Sequence, residues 1–117
     1  MDFVAFIGED KENWGQIYAI VKRVESRKIL LKELSVKDFP SLEGCDIVSI
    51  DSSLPLAELK EDIITKLRPF ISREFEVAVS LASGHGKEHM ALIAALLNIP
   101  VGVRIVAYTK NGLEFLT

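Results

Sequence analysis

The sequence predicts an α/β fold: a mainly parallel sheet of about six strands, three helices and a C-terminal antiparallel hairpin. Short apolar runs of strand length alternate with segments whose apolar residues recur every three or four positions. The last two strand-like runs flank an Asn-Gly pair, the strongest short hairpin signal. A chain of 117 residues forms one domain, residues 1–117, with enough core to need no disulfide or metal.

The first run, "DFVAFIG", is apolar up to its glycine and reads as a buried strand. In "EDKENWGQIYAIVKRVES" the period changes: Trp14, Ile17, Ile20, Val21 and Val24 share one helical face, with Lys22, Arg23 and Glu25 towards solvent. "KILLKEL" is a second strand and "KDFPSLEG" a connection. "CDIVSID" is a third strand. Ser53 is the expected cap of a helix running from about Pro55 to Ile71, with Leu56, Leu59, Ile63, Leu67 and Phe70 inside. "EFEVAVSLA" makes the fourth strand. The helix "KEHMALIAALLNI" is apolar almost all round, which predicts deep burial or a subunit interface. "VGVRIVAYT" and "LEFLT" complete the sheet around "KNG".

Composition narrows the function classes. Hydrophobic residues make up 49% and charges of both signs are interspersed, a globular balance. The formal charge of −3 argues against binding duplex nucleic acid, yet allows a small anionic ligand in a locally positive pocket. Cys45 is the lone cysteine, so no internal disulfide forms and a cytoplasmic location is expected. The longest apolar helical run, Met90 to Ile99, is too short to span a membrane, and the first residues lack the basic region of a secretory signal. There is no internal repeat or low-complexity segment.

In open α/β sheets, ligands sit beyond the carboxyl ends of the parallel strands, near the switch in strand order. Four groups of residues fall there: Gly8, Glu9, Asp10 and Lys11; Asp51, Ser52 and Ser53; Ser83, Gly84, His85, Gly86 and Lys87; and Tyr108, Thr109 and Lys110. The turn "SGHGK" is the most informative. Its glycines permit a sharp turn with exposed N–H groups, the next helix points its positive end at the same place, and Ser83 and Lys87 add a hydroxyl and a charge. That combination suits a phosphate or another anion. An ordinary tight strand-to-helix connection would also favour Ser and Gly.

Standard motifs do not fit. A P-loop would need Gly where Leu81 stands and Ser or Thr where Glu88 stands. A nucleophile elbow around Ser83 would need Gly at Leu81 and His85. "HGKEH", His85 to His89, matches the H-x-x-E-H zinc signature, but the only later carboxylate side chain is Glu114 in an edge strand, so no metal site is expected. No cofactor is expected either. Asp51 to Ser53 fits ribose contact or plain helix capping equally, and Tyr108 fits either base stacking or a structural role.

A short Rossmann-like domain whose fourth strand enters a Gly-rich turn with a lysine, then a very apolar helix, resembles the CARF domains (CRISPR-associated Rossmann fold). Ser83, Gly84 and Lys87 stand at that family's motif positions, while His85 replaces its second glycine and Gly86 its small residue. The motif likeness covers Val77 to Leu97. It implies a homodimer that binds a cyclic oligoadenylate or related phosphorylated nucleotide over two such turns, with Gly8 and its neighbours in the pocket. Family members usually carry an effector after this domain. None follows here, so the resemblance implies a sensor acting on a separate effector chain, a piece of a longer protein, or a ring nuclease. In the last case Lys87 would stabilise the developing phosphorane without metal, and His85 would move protons. A non-catalytic structural or interaction module is the remaining alternative.

Overall fold

The computed structural model describes residues 1–71, 73 and 75–117. Strands β1 (Asp2–Ile7), β2 (Lys28–Glu33), β3 (Cys45–Ile50), β4 (Glu76–Ser80), β5 (Gly102–Thr109) and β6 (Gly112–Phe115) form one sheet in the order β3-β2-β1-β4-β5-β6. All neighbours are parallel except β5 and β6, the expected hairpin. The order runs outward from β1 to β3, then returns to set β4 against the other side of β1. The switch therefore lies between β1 and β4, with Ala5 opposite Ser80.

Alternating side chains send β1 into two cores at once. Phe3, Ala5 and Ile7 join Trp14, Ile17, Ile20 and Val21 of α1 (Trp14–Val21). Val4 and Phe6 face the opposite layer, α2 (Leu56–Ile71) and α3 (Gly86–Asn98). Every apolar residue from Phe3 to Ile7 is fully buried, as a central parallel strand requires. No helix joins β2 to β3. That connection instead lays Val36, Phe39 and Leu42 over α1, where Phe39 meets Trp14 edge-on at 5.1 Å.

Helix details depart from the sequence expectation where packing intervenes. Because α2 lies against α3 as well as the sheet, its buried face takes in Ile64 and Ile71, whereas Leu56 is exposed. Ser53 does not cap α2: its hydroxyl turns back to Asp51, and the first helical N–H bond runs from Leu59 to the Pro55 carbonyl. α3 is not buried all round. Ala91, Leu92, Ala95 and Leu96 are inside, but Met90 and Leu97 are 59% and 70% exposed, with Ile93 and Ala94 half-buried between them.

β5 outruns β4, and α1 fills the gap. The Gln16 side-chain amide donates to the Tyr108 carbonyl at 2.5 Å and accepts from the Tyr108 N–H at 3.0 Å, the two bonds a longer β4 would have made. Replacing Gln16 with leucine leaves both partly buried groups unpaired and is expected to cost about 1–3 kcal/mol. Gln16→Glu, which keeps the acceptor alone, should fall between. Thermal melts of the three proteins rank them, and a leucine variant as stable as the wild type contradicts the bridging role.

Candidate functional site

The crevice at the switch is built from the β1–α1 loop and the β4–α3 turn, which hydrogen bonds tie together. Ser83 is fully buried. Its Oγ accepts the Gly8 N–H at 2.9 Å, from 75 residues away in sequence, and donates to Asp10 Oδ1 at 2.7 Å. Asp10 also accepts the Gly84 N–H, at 3.0 Å to Oδ1 and 3.2 Å to Oδ2, and an Asn13 amide hydrogen at 2.8 Å. Burial works to raise the Asp10 pKa, but the bonds from Asn13, Ser83 and Gly84 outweigh it and hold the carboxyl below the usual range.

Two glycines make this closure possible. Gly84 has φ +95°, which aims its N–H at Asp10, and a Cβ there would lie 2.7 Å from Phe6 Cδ1. A Cβ on Gly8 would lie 2.9 Å from Asp10 Oδ1. The Gly8 carbonyl accepts the Trp14 indole N–H at 2.8 Å, so the end of β1 is held on both sides.

The other half of the turn is open. His85 is the extended residue before α3, exposed and without a side-chain capping bond. The Gly86, Lys87 and Glu88 N–H groups have no partner among the described residues, as expected for an uncapped first turn. Nothing would touch a Cβ on Gly86 within 4 Å. The Lys87 ammonium donates to the Ser52 carbonyl at 2.8 Å, linking the end of β3 to the turn. In that loop Asp51 Oδ1 accepts the Ser53 hydroxyl at 2.6 Å and its N–H at 3.0 Å, while Ser52 N–H donates to Glu33 at 2.9 Å. The Ser53 bonds hold the Asp51 carboxyl below its ordinary pKa, with smaller help from Lys87 and Lys66.

The four sequence groups are therefore not equivalent. Gly8, Asp10, Ser83 and Gly84 form one bonded cluster, and Lys87 joins Ser52 to it, with Asp51 and Ser53 adjoining. Glu9 faces a neighbouring cleft of about 480 Å³ shared with Lys11, Ser35, Lys37 and Asp38, across which Lys11 pairs with Asp38. Tyr108 belongs elsewhere: its ring stacks on Arg23 at 4.3 Å, its hydroxyl accepts from the same guanidinium, and it packs on the α1 face. Thr109 serves the hairpin turn.

Asn13, Gln16 and Glu33 hold the crevice and its surroundings without any motif to mark them, and His89, singled out only by the zinc signature, binds the Ser83 carbonyl instead. The only local signal was Asn13 three residues after Asp10, a common side-chain pairing distance in a tight turn. His89 Nε2 lies 2.8 Å from the Ser83 carbonyl, which can only accept, so that nitrogen carries the proton. The H-x-x-E-H side chains go separate ways: His85 is exposed, Glu88 is buried on the inner face of α3, and His89 turns back to the strand end. The described residues contain no cluster of three His, Cys, Asp or Glu able to hold a metal. None of their helices is long and apolar enough to cross a membrane.

Fold and site together define a Rossmann-like α/β domain with a half-open crevice at its topological switch. Compared with family models, curated proteins and solved structures, the chain matches none.

Proposed function

We propose that this domain binds a cyclic oligoadenylate or a related phosphorylated nucleotide, as a CARF-like sensor working through a homodimer and a separate effector chain. One observation carries the reading: the open first turn of α3 at the switch, where the N–H groups of Gly86, Lys87 and Glu88 are free and Lys87 itself brings a full positive charge to the turn. The resemblance of "SGHGK" to the CARF turn supplies the choice of nucleotide. The stripe of exposed Met90 and Leu97 with half-buried Ile93 and Ala94 between them on the same helix is the surface a second copy would cover, bringing two turns together at its rim. The lone Cys45 fits a cytoplasmic setting.

Cyclic tetra- or hexa-adenylate at about a hundredfold excess over Kd should stabilise the protein by roughly 2.7 kcal/mol, read as a rise in melting temperature. Lys87→Ala should weaken binding by roughly 10- to 100-fold, the loss of a charge-assisted hydrogen bond. A monomeric mass, or no shift with any cyclic or linear oligoadenylate, contradicts the dimer and the nucleotide respectively.

A ring-nuclease reading draws on a specific feature, the uncapped and exposed His85 beside Lys87. In that mechanism a ribose 2′-hydroxyl attacks the adjacent phosphorus and His85 takes its proton; the P–O5′ bond breaks as a 2′,3′-cyclic phosphate forms, and the departing 5′-oxygen takes a proton from solvent water to become a hydroxyl. Lys87 and the helix end would hold the charge on phosphorus. Linear product from labelled ring in EDTA, lost in His85→Ala, distinguishes cleavage from binding alone.

A further inference from the structure

The donors at the start of the turn already hold an anion, and it belongs to the chain. Ser83 Oγ, the Gly84 N–H and the Asn13 amide converge on the Asp10 carboxylate, all within 3.2 Å. The arrangement is built rather than incidental. Gly84 adopts positive φ to present its N–H, Gly8 has no room for a Cβ beside Asp10 Oδ1, and Ser83 is fully buried beneath. A phosphate at this spot would compete for the same N–H and lie against a full negative charge. A carboxylate has about four acceptor positions, and the bonds from Ser83, Asn13 and Gly84, which reaches both oxygens, fill them.

We propose that Asp10 is a specificity-determining residue: an internal anion that bars phosphate from the Ser83–Gly84 half of the turn and confines it to Gly86–Lys87. The confinement to Gly86–Lys87 rests on the anion site of the nucleotide reading; the exclusion of phosphate from Ser83–Gly84 does not. This reverses the simplest view of "SGHGK", in which Ser83 and Gly84 are themselves phosphate donors.

The test is a titration of the isotope-labelled chain with inorganic pyrophosphate, followed at individual backbone amides. In the wild type the Gly86, Lys87 and Glu88 amides should shift and Gly84 should not. In Asp10→Ala the Gly84 amide should respond as well, with pyrophosphate bound roughly tenfold tighter once the like charge is gone. If that variant fails to fold, Asp10→Asn replaces it, since it keeps an acceptor for Ser83 and Gly84 while losing the charge. Its Gly84 amide should also gain a response. A wild-type Gly84 amide that shifts with its neighbours overturns the proposal, as does a folded neutral variant whose Gly84 stays silent. A wild type silent at Gly86 to Glu88 counts against the anion site of the nucleotide reading, while the comparison at Gly84 still decides the role of Asp10.

Discussion

Gly84→Ala is expected to destabilise the domain by about 3–5 kcal/mol, a large share of the 5–15 kcal/mol typical of a folded domain. Two costs add. The backbone stands at φ +95°, where a side chain is strained, and the new methyl would meet the Phe6 ring at 2.7 Å. Phe6 cannot swing aside easily, because it is wholly buried between the sheet and the α2–α3 layer. Gly86→Ala is the matched control. It lies in the same turn, already inside α3, and its Cβ would touch nothing, so the helix should gain roughly 0.5–1 kcal/mol. Urea denaturation of the two variants measures the contrast. Equal effects would show that backbone conformation and the Phe6 contact do not govern this turn.

Trp14→Ala should cost about 3–5 kcal/mol, the usual penalty for emptying a buried aromatic site. Trp14 is only 6% exposed and packs against Phe39 of the β2–β3 connection. Its indole N–H also holds the Gly8 carbonyl, so the loss reaches the crevice as well as the core. Trp14→Phe keeps most of the apolar surface but leaves that carbonyl without its partner, and should cost about 1–3 kcal/mol. If phenylalanine is as damaging as alanine, packing explains little of the tryptophan's role; if it is harmless, the Gly8 bond explains none. Chemical denaturation followed by circular dichroism serves both variants, since the chain's single tryptophan is the residue removed.

Much of the crevice was legible residue by residue, yet its division into a closed and an open half was not. Ser, Gly and Lys in a short strand-to-helix turn mark an anion site whichever of them face the ligand. What separates Ser83 from Lys87 is the loop beside them: Asp10 reaches the first and leaves the second open. Tyr108 sits at a strand end as a base-stacking residue would, but Arg23, just beyond the end of α1, already occupies its ring. The helix faces show the same limit. A 3.6-residue period located the apolar side of α2, while contact with α3 decided that Ile64 and Ile71 belong to the core and Leu56 does not.

By itself the sequence determined the kind of each element, their order along the chain and the α/β class, because apolar periodicity and Gly-bounded turns act over a few residues. Asn-Gly likewise encoded the closing hairpin locally. Only the tertiary structure decided which elements became neighbours. Returning β4 to the side of β1 brought Gly8 and Asp10 against Ser83 and Gly84, and the same packing turned one face of α3 inward while leaving Met90 and Leu97 outside. The physical reason is that a side chain's hydrogen-bond partners depend on strands distant in sequence, which no local pattern records.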